Sequence, residues 1–188
     1  ISMLNMLNVR FILTRSKNGA VIGQRNPYTN GNAWFVENVL MVDSADAEIT
    51  QLDSINTKTT AIVHKEFMPY LPLANIQRDS TATIDLVSHK PNYLVYEAAS
   101  SSEQLAVFSE IYYPKGWNAY IDGKAVSHIR VNYLLRALKI PAGYSKIEFK
   151  FEPAVVQTGS TISLYSSVLF LILVLMGLWH TSRKKNRQ

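Results

Sequence analysis

Cysteine is absent from the 188-residue chain, which excludes disulfides, thiolate metal sites and cysteine nucleophiles and leaves the redox state of its compartment open. Histidine is scarce: His64, His89, His128 and His180 stand far apart, without the HxH or HExxH spacing that brings two imidazoles to one metal. No GxSxG, P-loop or GxGxxG occurs, so nucleophile-elbow hydrolysis and nucleotide cradling have no signal, and no cofactor is expected. A surplus of one charge is also missing. The formal net charge of +5 owes four units to Arg183, Lys184, Lys185 and Arg187, and the rest of the chain carries fifteen Lys and Arg against fourteen Asp and Glu. That balance offers no electrostatic footprint for nucleic acid, which is not expected as a partner.

What the chain does have is one long apolar run. From Pro153 through Ser182 there is no Asp, Glu, Lys or Arg, and eleven of the residues in Ile162–Trp179 are Leu, Ile, Val or Phe. At about −0.3 to −0.6 kcal/mol each, these favour insertion by roughly −3 to −7 kcal/mol. A core helix apolar on every side would need a larger protein around it. The run therefore reads as a transmembrane helix over 159–180, with membrane lipids as its partner and Tyr165 and Trp179 near its two interfaces. The RKKNR tail (181–188) stays cytoplasmic by the positive-inside bias, which places residues 1–158 outside. Export of such a domain needs an earlier span or signal. Residues 1–30 show neither, and the chain starts at Ile1, so a preceding membrane region is expected; a complete chain would instead be a tail-anchored cytoplasmic domain.

Ahead of the span the pattern is mostly β. SMLNMLNVRFIL reads as a short turn or helix leading into a strand at Val9–Leu13, with a hairpin around Asn18-Gly19. NPYTNGN is a loop, and Ala33–Val42 a partly buried strand. Asp43 or Ser44 caps a helix over Ala45–Ile55. Beyond Thr59, period-two runs occur at Thr81–Ser88, Tyr93–Ala98, Leu105–Tyr112, Trp117–Ile121, Ala125–Val131, Leu134–Ile140 and Lys146–Glu152. Asp122-Gly123 is the strongest hairpin signal, because a two-residue I′ turn requires positive φ at both positions. The expected fold is thus mostly β: an antiparallel β-sandwich or jelly-roll-like domain with one short helix, followed by a single C-terminal transmembrane helix.

The stretches FSEIYYPKGWNAYIDGKAV (Phe108–Val126), RVNYLLRALKIPAG (Arg130–Gly143) and KIEFKFEP (Lys146–Pro153) resemble the C-terminal end of the YfhO family. The opening LNMLNVRFIL, the Gln24–Val36 stretch and the last span fit the same pattern, and the version here looks most like those of the Bacteroidetes. The resemblance implies a large polytopic protein of the bacterial inner (plasma) membrane, related to GT-C glycosyltransferases that use lipid-linked sugars to glycosylate envelope polymers. It also implies that the catalytic acids lie in an early loop outside this chain, so no catalytic residue is carried over to any position here. A lipid-linked sugar or glycan and the preceding membrane region become the expected partners.

The sharpest candidate site is the aromatic cluster Tyr112, Tyr113, Trp117 and Tyr120, flanked by Glu110, Lys115 and Asn118. Aromatic faces beside hydrogen-bonding groups suit a sugar ring, so Glu110, Tyr113, Trp117 and Tyr120 are the candidate ligand contacts. The competing reading puts Trp117 in the sandwich core and the tyrosines along a strand. Arg136 is expected on one face with Leu134, Leu138 and Ile140, where a guanidinium must be paired or reach water, a structural ion pair being favoured over a ligand contact. Asp43-Ser44-Ala45, Asp53-Ser54-Ile55 and Asp79-Ser80-Thr81 look like D-S/T-aliphatic glycan acceptors. Two functions remain in view: a non-catalytic module shaping a glycan site, or a structural domain that binds another envelope protein without sugar.

Overall fold

The computed structural model describes residues 2–71 and 79–185, which divide into one unit ending at Phe151 and another beginning at Glu152. The first unit is a β-sandwich. Its five-stranded sheet has the order β10 (Lys124–Val126), β9 (Trp117–Ile121), β13 (Gly143–Phe151), β7 (Tyr93–Ser100), β6 (Thr83–Lys90). The four-stranded sheet runs β11 (Ile129–Val131), β12 (Leu135–Ile140), β8 (Gln104–Ile111), β3 (Ala33–Val36). All pairings within both are antiparallel.

Alternation along β8 explains the layering. Ala106 and Phe108 face the five-stranded sheet and join Tyr96, Leu138, Ile147 and Phe149 in the inter-sheet core. Leu105 and Val107 face the other way, where Trp34, Val36, Leu135 and Ala137 form a second core. That outer face is covered by the early elements: helix α1 (Ser2–Met6), helix α2 (Ala45–Gln51) and the parallel pair β4 (Asn38–Val42) and β5 (Thr60–His64). The four-stranded sheet is therefore buried on both sides, which the continuous apolar run Ala61-Ile62-Val63 of β5 helps to achieve.

Three expected elements change form. The run Ala33–Val42 is two strands in different sheets, because Glu37 and Asn38 both turn their amides onto the Thr59 carbonyl, at 2.8 and 3.0 Å. Ala125–Val131 likewise splits, with β10 and β11 on opposite sheets and Ser127-His128 crossing between them. The capped helix is shorter than expected: Ser44 Oγ accepts from Ala47 N at 3.2 Å, but α2 ends at Gln51, whose carbonyl takes the Ser54 N–H and O–H. The Asn18-Gly19 hairpin does form, between β1 (Phe11–Arg15) and β2 (Val21–Arg25).

The second unit is the helix α3 (Ala154–Lys185), of which Ala154–Trp179 is long and apolar enough to cross a membrane. Two of its hydroxyls return to its own backbone, Thr161 to Gln157 O at 2.9 Å and Ser167 to Ser163 O at 2.8 Å, which lowers the cost of placing them in an apolar surrounding. The helix starts earlier than residue 159, and the end of the expected tail, 186–188, lies outside the described residues.

Candidate functional site

Strand β9 builds the site. Its alternation sends Trp117, Ala119 and Ile121 toward the inter-sheet core and Asn118 and Tyr120 to the opposite face. β13 pairs with all of β9, whereas β10 pairs only with Ala119–Ile121, so the Trp117-Asn118 end extends beyond β10. An open cleft of about 540 Å³ lies there. Phe67 and Tyr70 of a 3-10 helix (Lys65–Tyr70) form one wall, Tyr112 and Pro114 a second, and the Ala125–His128 crossover a third. Among the described residues no Asp, Glu, Lys or Arg lines it. Its polar groups are the tyrosine hydroxyls, the Asn118 amide, the Ser127 hydroxyl and the His128 imidazole.

The walls are held from behind. Phe67 meets Tyr112 edge to face at 5.8 Å, and Tyr112 meets the His128 ring at 5.2 Å. Arg130 fixes the 3-10 helix, its guanidinium 5.9 Å from the Phe67 ring and within 3.6 Å of Glu66 and 3.3 Å of the buried Glu48. Burial chiefly, and Glu66 next, push the Tyr112 phenol up, against an opposing pull from Arg130. His128 is pushed down to about 4, by burial first and by the nearby Arg136 second, so the ring is neutral at pH 7. Its Nε2 is buried and has no hydrogen-bond partner among the described residues.

Behind Trp117 sits a buried charge. The Arg136 guanidinium lies 4.4 Å from the Trp117 ring centre and 4.8 Å from that of Phe149, an arrangement in which ring faces replace part of its hydration. Nε donates to Ile111 O at 3.0 Å, and Nη2 is 3.7 Å from Glu110 Oε2. Burial lowers the Arg136 pKa and Glu110 counters it. Burial first, then Glu110, push the Tyr96 phenol far up. Arg136 shares its face with Leu138 and Ile140, as the spacing predicts, but Leu134 packs in the outer core. A β-bulge at Leu135/Arg136 changes the phase of the strand at that point.

Of the candidate ligand contacts, Trp117 and Tyr120 line the cleft. They reach it from opposite faces of β9: Trp117 packs toward the core, and Tyr120 has Lys150 Nζ 4.6 Å from its ring. Tyr113 is half exposed and stacks on Phe151 outside the cleft lining. Glu110 is also outside the lining, between Arg136 and His89, whose Nε2 is 3.8 Å away. Phe67, Tyr70 and His128 are the lining residues that strand periodicity does not single out. Phe67 and Tyr70 are three apart, which aligns them on a 3-10 helix.

Among the described residues no three His, Asp or Glu side chains gather as a metal site. Of the three Asp-Ser/Thr triplets, Ser44 caps α2 and Ser54 bonds Gln51. In the third, Asp79 accepts from Thr81 and Ser101, which hold its carboxyl well below the usual range.

A family model described as bacterial membrane protein YfhO matches residues 55–163, more than half of the chain and all of the cleft. No curated protein and no solved structure matches.

Proposed function

The chain belongs to the YfhO family of bacterial membrane proteins, and from that premise we propose that its β unit is the extracytoplasmic, non-catalytic module of a polytopic inner-membrane protein. The protein acts in glycosyl transfer from a lipid-linked sugar to an envelope polymer, and the module receives the glycan in the cleft beside β9. Residues 1–158 lie outside the membrane and the basic tail inside, by the positive-inside bias.

The observation that carries this reading is the lining of the cleft: aromatic rings from three separate segments, with hydroxyl, amide and neutral imidazole groups between them and, among the described residues, no ionised side chain. Sugars present apolar C–H faces and hydroxyl edges, and such a lining meets both. A protein-docking surface would call for a broad apolar patch without convergent polar groups.

Titration of the detergent-solubilised chain with neutral oligosaccharides, followed by tryptophan fluorescence, tests the reading. We expect saturable binding that Tyr112→Ala and Trp117→Ala each weaken at least tenfold. Equal, negligible binding by the wild type and both variants would sink it. Protease treatment of spheroplasts tests the topology separately: the β unit is cleaved if it lies outside and protected if it lies inside.

A further inference from the structure

Residues 1–36 contain Arg10, Arg15, Lys17 and Arg25 and no Asp or Glu, a bias absent from the rest of the β unit. The β1–β2 hairpin carries most of it, and that hairpin joins neither large sheet. Its register puts Phe11, Leu13 and Arg15 on one face with their partners Arg25, Gly23 and Val21. On this face Phe11, Leu13 and Val21 are 64, 73 and 63 % exposed, with the two arginines at its ends. At the hairpin's base Arg10 and Arg25 line a second cleft, of about 400 Å³, together with Asn8 and Thr29. The base is fixed by the buried Asn26, whose amide donates to Asn5 Oδ1 at 2.9 Å and Val9 O at 3.0 Å. The hairpin is thus a held projection with an apolar face, a cationic rim and no carboxylate of its own.

We propose that the β1–β2 hairpin binds the surface of an anionic bilayer, with Phe11, Leu13 and Val21 entering the interface and Arg10 and Arg25 holding a lipid phosphate in the basal cleft. The chemistry matches on both counts. Apolar side chains gain by leaving water at the acyl boundary, and guanidinium groups pair with phosphate oxygens at headgroup depth. Charge complementarity selects this occupant over a neutral partner, and four cations without an acid give an anionic surface an advantage that multiplies about fivefold per residue. The chain carries a candidate span of its own, so a bilayer is already part of its surroundings.

The absence of cysteine makes the test direct, because one introduced cysteine labels uniquely. Ala20→Cys, at the exposed hairpin tip, carries an environment-sensitive fluorophore on the full chain in nanodiscs of phosphatidylglycerol or of phosphatidylcholine. We expect blue-shifted emission quenched by nitroxide lipids in the anionic discs and a weaker effect in the zwitterionic ones. Arg10→Glu with Arg25→Glu should return the probe to its spectrum in detergent. A water-like spectrum in both discs overturns the proposal. So does equal immersion in both that ignores the charge reversal, or shielding without lipid quenching that accompanies cross-linking between two copies. The two wild-type arms decide even where the reversed variant fails to fold.

Discussion

Two turns in the β unit use the same device in different surroundings. At the β9–β10 turn Asp122 has φ 50°, donates its N–H to Lys146 O at 2.9 Å and accepts the Lys146 N–H on Oδ1 at 2.9 Å. At the β11–β12 turn Asn132 also has φ 50°, and it bonds both the carbonyl and the N–H of Ile62 at 2.8 Å. Each side-chain oxygen extends a neighbouring strand by one pairing. Asp122 is exposed, and Asn132 is fully buried. The residues that follow differ as well. Gly123 takes φ 77° without steric cost, whereas Tyr133 takes φ 72° with a β-carbon, its N–H received by the buried Glu48 Oε1 at 2.6 Å. The first turn is specified mainly by its own residues, the second by partners far away in sequence.

Exchanging the acid and the amide gives the largest effect. Asn132→Asp puts a carboxylate in a fully buried position near Glu48, and we expect a loss of about 3–5 kcal/mol, an effect that shrinks as pH falls and the new acid protonates. Asp122→Asn, in water, should stay within about 0.5 kcal/mol. Thermal unfolding of both variants checks the pair, since 1 kcal/mol moves the melting temperature by roughly 2–4 °C in a domain of this size. Comparable losses at both sites would show that burial does not separate the turns. Next comes Glu48→Ala, which strands the Tyr133 N–H and removes the carboxylate beside Arg130. A loss of about 2–4 kcal/mol is expected, with weakened docking of the 3-10 helix that walls the cleft beside β9. A melting point within 2 °C of wild type would mean that Tyr133 needs no distant support.

This contrast also explains what could be read in the sequence. Asp122-Gly123, the alternation of Ile147 and Phe149 and the apolar run of α3 are local patterns, so the hairpin, the sandwich and the candidate span were legible. The breaks at Glu37 and at Ser127-His128 were not, because they depend on which sheet receives the next residue, and Thr59, which captures the Glu37 amide, lies well downstream. β5 was missed for a related reason: a parallel partner buried on both faces shows no alternation. The cleft was half legible. Trp117 and Tyr120 stood out as a cluster, but adjacency in sequence grouped them with Tyr113 and Glu110, which the structure places elsewhere. Phe67, Tyr70 and His128 come from segments that only tertiary packing brings together.

His128, which links the two hairpins, yields the next effect in size. Its folded pKa of about 4 lies below the ordinary histidine value, so the unfolded chain binds the proton more readily, and the contribution is full above about pH 6.5 and fades as pH falls toward 4. After allowance for the ring's partial exposure it amounts to about 1–2 kcal/mol. Unfolding midpoints measured from pH 7 to pH 4.5 should therefore fall more steeply in wild type than in His128→Gln. Arg136→Met should flatten the slope in part, since the guanidinium is the second cause of the shift. Parallel profiles for wild type and His128→Gln would place the ring in water.

The smallest effect returns to the exposed turn. Gly123→Ala adds a β-carbon that meets nothing within 4 Å, so no clash enters and only the left-handed backbone resists. The expected loss is about 1 kcal/mol. Asn132→Gly makes the informative counterpart: it relieves the same kind of backbone cost yet deletes the oxygen that takes the buried Ile62 N–H. If conformational preference ruled both turns, Asn132→Gly would stabilise. We expect it to destabilise by about 1–3 kcal/mol, and amide hydrogen exchange at Ile62 should rise in that variant while exchange at Lys146 stays unchanged, because Asp122 Oδ1 still receives the Lys146 N–H.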